Sequence, residues 1–231
     1  MPYLNILPNP KSQGFTLIEL MVVVGIFAMM TGLVLANYPR FNTQIVLENT
    51  AHEVALELRQ AQSFGMGVRE SSAQSAMYPG YGVHVPSLTS GTVKDIFLFA
   101  DIAQGGSTQG DKRYAGENSC VPGSGECVEK LTLNSHHVYA LCGNMKKNLG
   151  LIPAFRKTAD IVTAGAAPYC NKDSLDVVFT RPDPDAVSLG YFASGQADSA
   201  APYSDTEIII ATSGGDVRTI VVWSTGQITV E

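Results

Sequence analysis

The feature of this sequence that most constrains its fold is an uninterrupted apolar run from residue 15 to residue 36. The run has 22 residues, and Glu19 is its only ionisable side chain. As an α-helix, a run of this length would span roughly 33 Å, which is enough to cross a lipid bilayer. A charged group in hydrocarbon is costly and is rarely found there without a partner. The run therefore predicts a membrane-spanning helix with one carboxylate near its start.

The residues around Glu19 form a motif, because residues 14–19 read GFTLIE and the apolar run follows directly. This order resembles the N-terminus of type IV pilins and of the pseudopilins of type II secretion. The resemblance implies that a prepilin peptidase cuts after Gly14 and N-methylates Phe15. It also implies that Glu19 acts in filament assembly. The expected partners are other pilin or pseudopilin subunits, the prepilin peptidase, an assembly ATPase and a polytopic platform protein.

Two interpretations of Glu19 follow from this motif. Cleavage would free an amine at Phe15, about one helical turn away. In a stacked filament, the amine of one subunit could neutralise the Glu19 carboxylate of its neighbour in a low-dielectric core. The alternative is a carboxylate near a helix end that snorkels to the membrane interface. The cleavage motif favours the paired arrangement.

The orientation in the membrane rests on the resemblance, because Lys11 precedes the apolar run and Arg40 follows it, so the positive-inside rule gives no bias. We expect a single-pass protein of the cytoplasmic membrane, with its globular domain outside the cytoplasm, that later joins a filament. A cleavable secretory signal is the alternative, since residues 34–36 (VLA) make a small-x-small cleavage site. The length of the run and the presence of Glu19 argue against it.

The apolar helix is expected to continue past residue 36, with a bend near Pro39. Beyond the bend, apolar residues recur at spacings of three and four, which places them on one helical face; they are Leu47, Ala51, Val54, Leu58 and Ala61. Glu48, Glu53, Glu57 and Arg59 are predicted to face solvent, and Gly65 or Gly67 to end the helix. The predicted segments are a leader (1–14), a membrane or filament-core helix (15–38), an amphipathic helix (39–66) and a globular β-rich domain (67–231).

The globular segment reads as strands and turns. The predicted strands cover residues 81–85, 95–100, 138–142, 175–180, 207–212, 217–224 and 227–230, the last three of which form a meander. The predicted fold is therefore α+β, with a long N-terminal helix packed on an antiparallel sheet, as in pilins. The RTIVVWSTGQITV ending and residues 58–62 (LRQAQ) resemble the minor pseudopilins, a group that includes the type II secretion H subunit and the minor pilins FimT and FimU.

Four cysteines lie in the part of the chain that would be exported, namely Cys120, Cys127, Cys142 and Cys170. Their spacings do not resemble the close CxxC pairs of zinc sites. An even number of cysteines outside the cytoplasm favours disulfides. Of the three pairings, we choose Cys120 with Cys127 and Cys142 with Cys170. The alternative is buried or free thiols.

Few other residues suggest chemistry. Asp101, Asp111 and Glu117 lie in an oxygen-rich segment of a kind that can hold calcium, although the EF-hand spacing is absent and an ordinary acidic surface loop is the alternative. The histidines show no metal-ligand spacing. The sequence contains no nucleophile elbow, phosphate loop or dinucleotide fingerprint. We therefore expect a non-enzymatic protein with no cofactor, calcium excepted.

The sequence as a whole predicts a structural minor subunit of a type IV pilus or a type II secretion pseudopilus. Its formal net charge of −6 argues against broad nucleic-acid binding, which depends on neutralising phosphates. Two alternatives stay open. One is a DNA-receptor minor pilin for natural transformation, which would need a basic patch. The other is an exported domain with a cleavable Sec signal.

Overall fold

The structure, a computed structural model, describes residues 14–67, 78–103, 110–116, 118–150 and 154–231. The predicted leader, apart from Gly14, and the candidate ligand Glu117 lie outside the described residues. The chain divides into two compact units, and the division falls between Asn42 and Thr43.

The first unit consists of Gly14–Thr16 in non-helical conformation and the first part of helix α1, which spans Leu17–Met66. Every side chain from residue 14 to residue 36 is exposed within the chain itself. The backbone continues as helix through residues 37–39. The bend near Pro39 stays a prediction.

In the second unit, residues 43–66 of α1 supply an apolar stripe to the core. All five residues that the spacing predicted are completely buried, namely Leu47, Ala51, Val54, Leu58 and Ala61. The prediction of one buried helical face is therefore confirmed. The prediction that Glu57 faces solvent is wrong, because only 8% of its surface is exposed. Glu57 follows Val54 by three residues, and positions three apart lie on neighbouring parts of one helix surface.

Nine strands form two antiparallel sheets in the described part of the second unit. The first sheet has the order β3-β2-β1-β5-β6; its strands are β1 (Gly80–Val85), β2 (Asp95–Asp101), β3 (Cys127–Thr132), β5 (Ser174–Phe179) and β6 (Ala186–Tyr191). The second has the order β4-β7-β8-β9; its strands are β4 (His137–Gly143), β7 (Asp205–Ala211), β8 (Val217–Trp223) and β9 (Ile228–Val230). A 3-10 turn (Leu88–Ser90) and two short helices, α2 (Met145–Leu149) and α3 (Thr158–Thr163), complete the unit.

The α+β fold with a long helix on antiparallel strands is confirmed, and the strands are divided between two sheets rather than joined in one. The C-terminal meander β7-β8-β9 pairs as predicted, and a hairpin joins β7 to β8 with Gly215 at φ 79°. This meander pairs with β4 instead of with the preceding strands β5 and β6. Strands β3 and β6 were not predicted, because β3 carries exposed charges and β6 contains Ser188 and Gly190.

The main core lies between the helix and one face of each sheet. Residues 47–61 of α1 share a single cluster with alternating residues of both sheets; these include Val83, Val85, Ile96, Leu98, Val177, Phe179, Ile208, Ile210, Ile220 and Val222. One amphipathic helix segment therefore organises both sheets. Truncating a side chain at the centre of such a cluster typically costs about 2–5 kcal/mol.

The opposite face of the second sheet carries a smaller core under α2, α3 and their connections. Ile209 and Val217 of the sheet share this cluster with Phe155 and Ile161. A disulfide joins Cys142 of β4 to Cys170 and so closes the covering segment onto the sheet. A second disulfide joins Cys120 to Cys127 at the start of β3. These are the two pairs chosen from the sequence.

Glu207 of β7 lies on this covered face and has no exposed surface. Neither of its carboxylate oxygens has a hydrogen-bond partner in the described part of the chain. Burial, and after it the neighbouring Asp205 carboxylate, raises the pKa of Glu207 to about 9. The Lys146 ammonium opposes this shift, but it is bound to both Glu231 oxygens, at 2.9 and 2.7 Å. Glu207 is therefore uncharged at neutral pH.

We expect Glu207→Gln to become increasingly more stable than the parent chain as pH rises. An unfolded Glu207 releases its proton near pH 4.5, whereas the folded protein keeps it until about pH 9. The folding stability of the parent chain therefore falls as pH rises from about 4.5 to about 9. The glutamine variant does not lose this stability, because glutamine does not titrate. The advantage of the glutamine variant in unfolding free energy should be larger at pH 8 than at pH 5 by at least about 1 kcal/mol. Urea unfolding of the detergent-solubilised chain measures it.

Glu53→Gln is the matched control, because it makes the same change at an exposed carboxylate. Its free energy difference from the parent, measured at the same two pH values, is the baseline for that of Glu207→Gln. An equal difference for Glu207→Gln at both pH values would mean that the Glu207 carboxylate is ionised in the folded protein.

Candidate functional site

The candidate site is the start of α1, where the predicted cleavage residues lie. Gly14 and Phe15 are non-helical, and the helix begins at Leu17. The Thr16 carbonyl accepts a hydrogen bond from the Leu20 amide at 3.2 Å, which is the first bond of the helix. The bond between Gly14 and Phe15 therefore lies just outside the helix, in backbone whose N–H and C=O groups are not committed to helical pairing.

Thr16 caps this helix and contacts the glutamate. Its Oγ1 accepts a hydrogen bond from the Glu19 amide at 3.3 Å and lies 3.4 Å from Glu19 Oε2, to which it can donate. A threonine followed three residues later by glutamate is the capping-box pattern. The letters TLIE at residues 16–19 contain this capping signal in the sequence itself.

The cap directs the Glu19 carboxylate toward the N-terminal end of the helix. The unpaired amides of the first turn carry partial positive charge, which favours an anion there. Phe15, whose nitrogen would become the new N-terminus after cleavage, lies at the same end. The structure thus brings Gly14, Phe15 and Glu19 together within a few residues of one helix start.

The part of α1 that follows, residues 20–36, exposes apolar side chains on every face. Its exposed large apolar side chains include Leu20, Met21, Val24, Ile26, Phe27, Met30, Leu33 and Leu35. In the described part of the chain, α1 is the one helix long and apolar enough to cross a membrane. Exposed apolar area on this scale marks a surface that lipid or protein must cover.

Two of the three calcium candidates, Asp101 and Asp111, lie in the described residues, and each accepts a hydrogen bond from a backbone amide. Asp101 is buried, and its Oδ1 accepts the Lys112 amide at 3.0 Å. Burial raises the pKa of Asp101 to about 6. Asp111 Oδ1 accepts the Arg113 amide at 3.0 Å. Among the described residues, no three or more histidines, cysteines and carboxylates form a group that could hold a metal ion. Calcium binding at these residues stays a prediction.

Two histidines, His84 and His136, are buried in the globular unit. His84 Nδ1 lies 2.6 Å from Asp176 Oδ1 on the adjacent strand, and both side chains are nearly fully buried. His136 Nδ1 lies 3.0 Å from Thr50 Oγ1 of α1. Burial, more than the neighbouring His137, lowers the pKa of His136. Each histidine links neighbouring elements of the fold.

Comparison with family models supports an identification at the N-terminus. Residues 9–35 match the prokaryotic N-terminal methylation motif. A search of curated proteins and a search of solved structures each returned no match. This match, which covers the N-terminal segment alone, supports the resemblance of that segment to type IV pilins and pseudopilins. The helix that begins within it is long and apolar enough to cross a membrane.

The cap geometry predicts that Thr16→Val will loosen the first turn of α1, whereas Thr16→Ser will preserve it. Valine keeps the shape of threonine but removes the oxygen that accepts the Glu19 amide. Loss of such a cap typically costs about 0.5–2 kcal/mol. Amide hydrogen exchange at residues 17–20 in detergent should therefore accelerate several-fold in the valine variant. Equal exchange rates in both variants would show that Thr16 does not cap the helix.

Proposed function

We propose that this protein is a non-enzymatic minor subunit of a type IV pilus or a type II secretion pseudopilus. The observation that carries the proposal is the methylation motif over residues 9–35, followed at once by an apolar helix with exposed side chains. A prepilin peptidase would cut between Gly14 and Phe15 and methylate the new amine. The subunit would then leave the membrane and enter a filament through this helix.

The role of Glu19 in this proposal follows from electrostatics. The charged amine of Phe15 and the Glu19 carboxylate each cost free energy in a low-dielectric core, and the cost is largest when either stands alone. In a filament, the amine of one subunit meets the carboxylate of the next, and that pairing fixes their axial register. Within a single subunit, the Thr16 hydroxyl and the first-turn amides supply weaker polar contacts.

The minor kind is supported by the globular domain and by the sequence that precedes it. Residues 58–62 read LRQAQ, and Leu58 and Ala61 of this run are fully buried in the core. The C-terminal meander β7-β8-β9 forms one side of the second sheet. Both features lie in the two sequence segments that resemble minor pseudopilins, residues 58–62 and the RTIVVWSTGQITV ending. The peptidase, an assembly ATPase and a platform protein are the expected partners in the cytoplasmic membrane, with the globular domain outside the cytoplasm.

A DNA-receptor role is less well supported, because one member of each of two adjacent pairs of cations, Lys146-Lys147 and Arg156-Lys157, is bound to a carboxylate. Lys146 is buried and pairs with Glu231 at 2.7 Å. Lys157 Nζ pairs with Asp216 Oδ1 at 2.5 Å. Cations held in this way contribute little to phosphate binding.

The N-terminus of the processed protein tests the proposal directly. Mass spectrometry of protein from the native host should find a methylated Phe15 as the first residue. Gly14→Val should abolish processing and leave a heavier, membrane-bound precursor. A Cβ at Gly14 meets no atom within 4 Å, so this change affects peptidase recognition rather than packing. An N-terminus at Asn37 would instead indicate a secretory signal and exclude the proposal.

Glu19→Ala is expected to leave the protein processed and membrane-bound but to reduce its incorporation into filaments at least about tenfold, the effect of about 1.4 kcal/mol. The neutral side chain removes the partner of the neighbouring amine. Immunoblots of sheared filaments against membranes measure the ratio. Glu53→Gln, which neutralises an exposed glutamate of α1, serves as control. Normal incorporation of Glu19→Ala would remove the role assigned to Glu19.

A further inference from the structure

One of the two disulfides has a buried acid directly beside it. Cys142 of β4 and Glu207 of β7 are register partners, so their side chains leave neighbouring strands at opposite positions and on the same face. The Cβ atoms of such a pair lie about 4.5–5.5 Å apart. Both side chains are completely buried, and neither Glu207 oxygen has a hydrogen-bond partner in the described part of the chain. A carboxyl group is therefore available next to the Cys142 sulfur.

The other disulfide has different surroundings. Cys127, which is bonded to Cys120, lies opposite Phe99 of β2. The carboxylate next to Cys127 in sequence is that of Glu126, and its two oxygens accept backbone amides at 3.3 and 2.8 Å. The register partner of this disulfide is thus apolar, which makes Cys120–Cys127 a control within the same chain.

The two sulfurs of the Cys142–Cys170 disulfide differ in their access to solvent. Cys170 is half-buried, and its Sγ lies 3.6 Å from Met145 Sδ of α2. Cys142 belongs to the apolar cluster under α2 and α3, to which the covering segment adds one titratable side chain, Tyr169. A thiolate from solvent would therefore attack Cys170, and Cys142 would be the leaving group. Because apolar surroundings disfavour a thiolate, Cys142 leaves slowly unless it receives a proton.

We propose that Glu207 donates a proton to Cys142 when an external dithiol reduces the Cys142–Cys170 disulfide. A thiolate of the dithiol bonds to Cys170 Sγ as the S–S bond breaks, and the bonding electron pair leaves with Cys142 Sγ, which takes the Glu207 proton. The second thiolate of the dithiol then closes its own disulfide and releases Cys170 as a thiolate. Water returns a proton to Glu207 and to Cys170. Two electrons have then passed from the dithiol to the cysteine pair.

The groups around Glu207 keep its proton in place over the neutral range. Two charged groups face it, namely Asp205 on its own strand and Lys146 on α2, and its register partner on β8 is Val221. Asp205 accepts two backbone amides of α2, at 2.7 and 3.1 Å, and the Lys146 ammonium is bound to Glu231. With a pKa of about 9, Glu207 is a neutral acid below this pH and has no proton to donate above it.

Reduction would change how the covering segment is held. The segment carries α3 and Cys170, and the disulfide is its covalent bond to β4. Without the disulfide, backbone hydrogen bonds hold this end to β4, from the Gly143 amide to the Tyr169 carbonyl at 3.1 Å and from the Lys172 amide to the Leu141 carbonyl at 3.3 Å. The Cys142–Cys170 disulfide is thus a redox-sensitive closure of the cover. This inference does not rest on the proposed filament role.

Reduction of the folded full chain in detergent by dithiothreitol tests the proposal. Samples between about pH 7 and pH 10.5 are quenched by alkylation, and peptide mass spectrometry follows each disulfide separately. The rate for Cys142–Cys170 is divided by the rate for Cys120–Cys127 in the same sample, which cancels the ionisation of dithiothreitol. In the parent chain, this ratio should fall at least about tenfold across the pH range, because Glu207 loses its proton near pH 9.

Glu207→Gln should lower the ratio at least about tenfold at pH 7 and remove its dependence on pH, because glutamine has no acidic proton. Glu53→Gln, which changes an exposed carboxylate, should behave like the parent. Circular dichroism at each pH checks that the chains are folded. If Glu207→Gln does not fold, the ratio in the parent chain decides alone.

Two results would overturn the proposal. One is a ratio that stays level or rises with pH in the parent chain. This is the result expected if the disulfide is reduced only after unfolding, because the parent loses stability as pH rises toward 9. The other is the same fall of the ratio in folded Glu207→Gln, which would assign the proton to a different group. Both results are independent of N-terminal processing, so the filament proposal is tested separately.

Discussion

The placement of the Glu19 carboxylate within an apolar helix surface is the physical constraint on which the rest of this molecule depends. Glu19 is the only ionisable side chain in an apolar run of 22 residues. Water, headgroups and a protein-supplied cation are the surroundings that stabilise an ionised carboxylate. The capping threonine and the first-turn amides orient it toward the helix start, where cleavage would create an amine. The cap, the non-helical bond between Gly14 and Phe15 and the apolar helix therefore all lie at one end of α1, as the proposed assembly requires.

The two parts of α1 satisfy different physical requirements. Residues 17–36 expose apolar side chains on every face, so they need lipid or other protein chains around them. Residues 47–61 bury one stripe within their own domain and leave the opposite face polar, with Leu56 as an exposed exception. A helix with one apolar stripe packs that stripe into the core of its own domain. A uniformly apolar helix must instead be surrounded by lipid or by other protein chains.

Much of the fold could be predicted from periodicity. The buried stripe of α1, seven of the nine strands and the C-terminal meander all follow from helical or alternating patterns of apolar residues. The strands β3 and β6 could not be predicted in this way, because their side chains are too polar or too small to show alternation. The division into two sheets depends on the long-range pairing of β4 with β7, which no local pattern specifies. Buried carboxylates such as Glu57 were missed for a related reason, since burial of a charge is set by neighbours distant in sequence.

The candidate site is predictable for the opposite reason. The predicted cleavage bond, the capping threonine and the carboxylate all lie within residues 14–19, so a short motif contains the local geometry completely. A family model can therefore match residues 9–35 while the globular domain finds no match among curated proteins or solved structures. The globular domain needs only a core that holds residues 43–66 of α1, and many sequences can provide one. Its loops, including the segments closed by the two disulfides, are consequently the part of the domain in which the sequence can change with least effect on the core.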